Sequence, residues 1–355
     1  MPEMTEDDIY RTSTQYRIWS FSRELLLSLR STTNESAAEG VKAALHAQKA
    51  AEQEQSSKQD SNGSPLQEVD CLSVDEEQKL VVFYCVQNMR FADFCEFPTN
   101  VKATAVQYLK RFYLSNSPMT YHPKEMMPSA LFLATKTENH YTSLKSFVSK
   151  LPKTTAEDVV APEFLLTQGL RFTFDVRHPY RGLEGGFMEL LALATGKGQS
   201  RPDNGASPTQ LQKQMEGLDP ANGGNKKSRS AEEVVQRIQD AHGKAKEILK
   251  TSALLTDAYF LYTPSQIWLS SLFVADEPLA RFYLDFKFPT PSTMKPKLLT
   301  TLGTCANLLR SSASADPDDS ELKELKRIDK KLYKCRNPEK IDLFGINKAS
   351  EEGGT

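Results

Sequence analysis

Five histidines and five cysteines are the side chains of this sequence best suited to metal ligation or nucleophilic attack. His46, His140 and His242 lie far apart and offer no ligand spacing, while His122 and His178 each precede a proline and read as hydrogen-bonded turn residues. Cys71, Cys85, Cys95, Cys305 and Cys335 form no C-x-x-C pair, and an odd count argues against a disulfide framework. No G-x-x-x-x-G-K, G-x-S-x-G or H-E-x-x-H run occurs. The expectation is therefore no catalytic residue, no metal and no cofactor. Two basic runs could meet phosphate. Lys323 to Leu332 interleaves acids and an apolar stripe (Leu322, Leu325, Ile328, Leu332), which predicts a helix packed on the body with a wet outer face. Lys226-Lys227-Ser228-Arg229 is short for a nuclear-import signal.

Composition narrows the class. The chain has 355 residues, room for two domains, with 39% hydrophobic and 25% charged residues. A net charge of −2 and a pI near 6.3 give no global attraction to nucleic acid or to an anionic membrane. The acidic start MPEMTEDDIY lacks an apolar signal segment, and no run approaches the roughly 18 apolar residues of a membrane span. These features predict a soluble intracellular protein with reduced thiols, in cytosol or nucleus.

The elements that must position any site read as helices, with no period-two alternation. Residues 20–50 predict a helix, and 53–70 a polar, disordered linker. Ser73-Val74-Asp75-Glu76 is a capping box. It opens a first set of five helices: from Ser73, from after Pro98-Thr99-Asn100 to 112, 123 to 138, 142 to 150 and 158 to 172. The third is apolar nearly all round at Ala130–Ala134, which predicts a central, enclosed helix. Arg177-His178-Pro179-Tyr180 starts a second half with a helix over 180–194. Residues 196–229 read as a disordered insertion, dense in Gly, Pro, Ser, Gln and Asn. A second capping box, Ser230-Ala231-Glu232-Glu233, predicts one long helix running through Leu255, Ala258, Tyr259 and Tyr262. Thr263-Pro264 caps the next, and helices follow near 277–286 and 293–311. The halves echo one another: Pro128-Ser129-Ala130-Leu131-Phe132-Leu133-Ala134 parallels Pro264-Ser265-Gln266-Ile267-Trp268-Leu269-Ser270, each after an aromatic-aromatic-Leu triplet. Such an echo suggests one helical module used twice.

Particular strings sharpen this reading. They are Leu109-Lys110-Arg111-Phe112-Tyr113-Leu114-Ser115-Asn116-Ser117, Tyr121-His122-Pro123 and Phe132-Leu133-Ala134-Thr135-Lys136-Thr137-Glu138 in the first half. In the second they are His178-Pro179-Tyr180-Arg181 and Leu255-Thr256-Asp257-Ala258-Tyr259-Phe260-Leu261-Tyr262-Thr263-Pro264-Ser265-Gln266. Together they resemble the cyclin family, and within it the cyclin H branch. The resemblance implies an all-α fold of tandem five-helix cyclin boxes with additional N-terminal and C-terminal helices. Its expected divisions are 1–52 (extension and helix), 53–70 (linker), 71–175 (first box), 176–312 (second box, with the insertion) and 313–355 (C-terminal helix and tail).

The resemblance also implies function. A cyclin has no chemistry of its own; it binds the N-lobe of a cyclin-dependent kinase and holds the αC helix inward. A lysine of the third helix and a glutamate of the fifth approach the kinase in this family, and they match Lys136 and Glu163. On spacing alone each would read as a solvated surface charge. Phe132, Phe147 and Leu166 read as core. Further implied partners are a RING-finger assembly factor and the core of general transcription factor H, in the nucleus, with no membrane and no direct nucleic-acid contact. Two alternatives stand beside this: a transcriptional cyclin of the C type, and a DNA-binding tandem cyclin-fold factor. The second would be strongly basic, with an N-terminal zinc ribbon. Val81 to Gln87 departs from the Met-Arg-Ala-Ile-Leu substrate-docking patch of many cell-cycle cyclins, so no such docking is expected.

Overall fold

A helix needs its first amides satisfied, and the capping residues of this chain do so repeatedly. The computed structural model describes residues 6–55, 69–151, 154–198, 206–220, 229–288, 293–311 and 317–336. Among them every regular element is a helix, and they divide into two compact units, Ser22–Phe174 with Asp316–Thr355, and Met1–Phe21 with Asp175–Ala315.

In the first unit Ser73 accepts from the Glu76 amide, and the Glu76 carboxylate accepts from the Ser73 amide at 2.9 Å, opening α4 (Val74–Phe94). The remaining helices are α3 (Arg23–Gln55), α5 (Thr99–Phe112), α6 (Pro123–Thr137), α7 (Leu144–Ser149), α8 (Ala156–Gly169) and α17 (Asp319–Arg336). Helix α6 is enclosed as its pattern predicts, with Pro128 through Thr135 buried. Helix α5 is enclosed as well, from Ala103 to Phe112, although its sequence shows one apolar face. Tertiary packing covers its polar side too. Tyr108, for example, places its hydroxyl 2.8 Å from the Phe174 carbonyl.

Helix α17 lays Ile328, Leu332 and Cys335 onto Leu72, Leu80 and Met119, with Ala37, Ala38 and Val41 of α3 alongside. Ion pairs hold it across the ends of α4 and α6. Arg327 and Lys331 meet the two Glu76 oxygens at 2.5 and 2.9 Å, and Arg336 meets Glu125 at 2.8 Å. Burial opposes charge on Glu76, yet hydrogen bonds from Lys331, the Ser73 amide and Arg327 hold its carboxyl down at about 2. Its neighbour Glu77 has the opposite fate. Burial raises it to about 7, only partly offset by hydrogen bonds from Ser117 and Asn34.

In the second unit α14 (Pro264–Ala275) is the enclosed element, packed on α9 (Tyr180–Ala194), α11 (Ala231–Lys250), α15 (Glu277–Lys287) and α16 (Lys295–Arg310). Gly182 and Gly186 are one turn apart on α9, and the two ends of the Trp268 indole pack against them. A Cβ at either would fall 2.5 or 2.6 Å from the ring. Short helices α1 (Glu6–Thr12) and α2 (Thr14–Trp19) belong to this unit; the sequence patterns did not predict them. Trp19 is buried, and the Gln15 side chain accepts from the Arg177 amide at 2.7 Å.

Three expectations need correction. The insertion 196–229 is not wholly irregular, since residues 208–216 form α10 (Pro208–Glu216). Ser207 and Gln210 cap it, and Leu211 and Met215 are buried. The long helix from Ser230 stops at Lys250, where Thr251 leaves helical geometry at φ −122°, ψ −85°. Two single turns follow, α12 (Ser252–Leu255) and α13 (Ala258–Leu261). Thr251 and Thr256 each turn their hydroxyl onto the carbonyl four residues back, a competing bond that weakens helix continuation. The sequence echo also differs from the packing echo. Buried Ser129 of α6 donates to the Val159 carbonyl of α8, but its echo partner Ser265 is exposed. Ser270, five residues on, makes the equivalent bond to Leu302 of α16. The linker 53–70 and the tail after Pro338 lie almost wholly outside the described residues; α3 itself runs to Gln55.

Gly186→Ala is expected to lower stability by about 1–3 kcal/mol in a thermal or urea melt, through overpacking against Trp268. An unchanged midpoint would mean the indole moves aside freely. For Glu77, the folded chain keeps a proton to about pH 7 that an unfolded glutamate releases near 4.5. Between those values the native state binds more protons, so stability falls as pH rises, by about 3 kcal/mol once pH 8 is reached. Urea titrations of wild type and Glu77→Gln should therefore converge near pH 4.5 and diverge at pH 8, the variant being the more stable. Parallel pH profiles would contradict this.

Candidate functional site

Where α6 ends, one charge pair stands at the surface. Helix α6 stops because Asn139 takes a left-handed conformation (φ 55°) and the His140 amide bonds back to the Thr135 carbonyl at 2.9 Å. Lys136 thereby falls in the last helical turn, where a cation faces the negative end of the helix. The buried bond from Ser129 to Val159 sets how α6 lies on α8. Seven residues further along α6 and four along α8, Lys136 meets Glu163. Its Nζ donates to both carboxylate oxygens, at 2.6 and 2.8 Å, and lies 4.5 Å from the centre of the Phe132 ring. The two residues singled out from the sequence are thus brought together.

The pair is accessible, with side-chain exposures of 46% for Lys136 and 21% for Glu163. Beneath it Phe132 packs on Phe147, which also touches Phe91 and Phe97. Phe132, Phe147 and Leu166 are buried, in line with their reading as core. Val160 and Phe164 share the face of α8 that carries Glu163, at i, i+3 and i+4, and both are exposed, Phe164 to 66%. Sequence reasoning missed these two. Apolar and polar residues alternate around helix α8 without one clear face, and nothing in its pattern tells a buried valine such as Val159 from an exposed one such as Val160.

The other singled-out residues do not converge. His122 caps α6, its Nδ1 accepting from the Lys124 amide at 3.0 Å, and His178 Nδ1 lies 3.0 Å from the Tyr259 hydroxyl in the second unit. Among the described residues no three His, Cys, Asp or Glu side chains group as metal ligands. Among the described residues, too, no helix is long and apolar enough to cross a membrane.

The comparisons with known proteins bear on this geometry. The model of the cyclin N-terminal domain matches residues 89–175, and that of the cyclin C-terminal domain residues 178–310. The chain is 33% identical to a chain in the solved CAK complex from Chaetomium thermophilum bound to ATP-γ-S. That match covers 98% of this chain and 95% of the other, with a TM-score of 0.72. This chain is a cyclin. Among curated relatives it is 31% identical to Cyclin CCL1 of Saccharomyces cerevisiae over 81% of its own length, spanning 63% of that protein. To Cyclin mcs2 of Schizosaccharomyces pombe it is 28% identical over 98% of its length and 92% of that protein. A chain of the yeast TFIIK (Kin28/Ccl1/Tfb3) complex is similar at 28% identity and a TM-score of 0.58, with 84% of this chain and all of that chain covered.

Within this cyclin the Lys136–Glu163 pair stabilises the fold little. An exposed lysine–carboxylate pair in high dielectric contributes about 0.2–1 kcal/mol. A double-mutant cycle of Lys136→Ala and Glu163→Ala, read by chemical denaturation, should therefore return a coupling no larger than about 1 kcal/mol. A coupling of several kcal/mol would make the pair a brace of the bundle rather than groups free to meet a partner.

Proposed function

We propose that this cyclin is the regulatory, non-catalytic subunit of a cyclin-dependent kinase of the CDK-activating class. The observation that carries the reading is the accessible Lys136–Glu163 pair, flanked by Val160 and Phe164, on a chain that matches a CAK-complex chain over nearly its whole length. A basic and an acidic group side by side can donate to and accept from exposed backbone at the end of a partner helix, while the flanking apolar groups are desolvated. In this reading the first cyclin box, 71–175, meets the kinase N-lobe and holds its αC helix inward. The kinase's Lys–Glu ion pair then forms, and its activation segment takes the active shape. The cyclin shifts the kinase only by its preference for one state; a hundredfold preference amounts to about 2.8 kcal/mol. ATP and magnesium belong to the kinase.

The same reading assigns the kinase's work as phosphorylation of other cyclin-dependent kinases and of the RNA polymerase II tail. It places a RING-finger assembly factor and the general transcription factor H core among the partners, and the complex in the nucleus. Similarity to chains of the CAK and TFIIK complexes supports it.

The test is reconstitution of this chain with a kinase of that class, assayed on a polymerase-tail peptide. Lys136→Glu, Glu163→Lys and Phe164→Ala should each weaken kinase binding at least about tenfold, since removing one member of an interfacial pair or an apolar anchor costs about 2 kcal/mol or more. Helical content should stay at the wild-type level. Full activation by the charge-reversed chains would remove both charged residues from the interface, and failure of wild type to activate any such kinase would end the reading.

A further inference from the structure

Two thiols far apart in sequence meet beside α17, and the described function uses neither. We infer that Cys71 and Cys335 are an oxidation site, at which a hydroperoxide closes a disulfide between the segment leading into α4 and the last turn of α17. The inference is independent of the kinase reading. Cys335 Sγ lies 3.7 Å from the Asp70 carbonyl, 265 residues away along the chain. That carbonyl belongs to the peptide bond into Cys71, which sets the two cysteines side by side, and Cys71 Sγ lies 4.0 Å from the Ala38 carbonyl of α3. Both are free thiols, and both sit at the cluster where α3, α4 and α17 pack.

Their environments assign the order of events. Cys335 is 3% exposed, whereas Cys71 is half-buried. Burial raises both thiols, Cys335 to about 12. At Cys71 the charges of Lys42 and Lys331 favour the thiolate against burial and Asp70. Lys331 is held in place by Asp70 at 2.8 Å and Glu76 at 2.9 Å. Cys71 is therefore the first to react. Its thiolate attacks the outer oxygen of the hydroperoxide; the S–O bond forms, the O–O bond breaks, and the alcohol (or water, from hydrogen peroxide) leaves with the proton. Cys335 sulfur then attacks the Cys71 sulfenic acid, and the S–O bond breaks as water leaves with the Cys335 proton. Two thiols lose two hydrogens and the peroxide is reduced. Cys85, Cys95 and Cys305 are buried elsewhere and are not used.

The consequence is mechanical. In the reduced chain α17 is held by side-chain packing and by ion pairs that salt screens. The disulfide makes that attachment covalent and closes a very long loop, which constrains the unfolded chain most.

The experiment treats the full chain with hydrogen peroxide and reads intact mass and non-reducing peptide maps. Expected are the loss of two hydrogen atoms, a cross-linked peptide joining Cys71 to Cys335, a raised thermal midpoint and reversal by dithiothreitol. Cys71→Ser and Cys335→Ala should each abolish the cross-link; Cys71→Ser, being half-exposed, keeps the test sound should the buried variant misfold. In Cys71→Ser no sulfenic acid should be trapped at Cys335 on the same timescale. Oxidation of the two thiols separately without a cross-link, or a cross-link through any other cysteine, would overturn the assignment.

Discussion

A helix with no polar face cannot rest on a surface; it has to be surrounded. That constraint acts on α6 in the first unit, where α5 is enclosed beside it, and on α14 in the second. Enclosure brings backbone close to backbone. A buried serine hydroxyl then finds the carbonyl of a later helix in each unit, Ser129 to Val159 and Ser270 to Leu302. An enclosed helix must also surface somewhere. Helix α6 does so at its last turn, where the left-handed Asn139 ends it, and there Lys136 stands beside Glu163. The candidate site is the end of a core helix, rigid because the remainder of that helix is packed.

Electrostatics does different work on the far side of the first unit. The Glu76 carboxylate caps α4, receives Arg327 and Lys331, and so joins the start of the bundle to the C-terminal helix. Glu77, one residue on, is buried against Ser117 and Asn34 without a cation. Adjacent glutamates end with opposite preferences for the proton because a helix turns 100° per residue. One faces α17, the other the space between α3 and α4. Three basic residues of α17, Arg327, Lys331 and Arg336, are thus spent on the protein itself.

Local signals were legible wherever one residue type answers one backbone need. Ser73 with Glu76, Ser230 with Glu233, and Thr263 with Pro264 each begin a helix at the predicted place. The Ser207 box of α10 was equally local, but it lies among Gly-, Asn- and Gln-rich residues whose composition masked it. The break at Thr251 carries no such signal, because the apolar spacing continues in phase through α12 and α13. Helix α5 shows one apolar face in its sequence, yet its neighbours α4 and α6, with α8, enclose it on both sides.

Hydrophobic period and capping chemistry are properties of neighbours in the chain, so the amino-acid order alone determined the all-α class, most helix starts and the enclosed character of α6. Resemblance in its strings pointed to the cyclin family and to Lys136 and Glu163. Tertiary structure alone decided that those side chains meet, that Val160 and Phe164 are left bare while Val159 is not, and that Cys335 comes to lie against the Asp70 carbonyl beside Cys71. Each of these depends on which faces of remote helices come together, and no window along the chain holds that information.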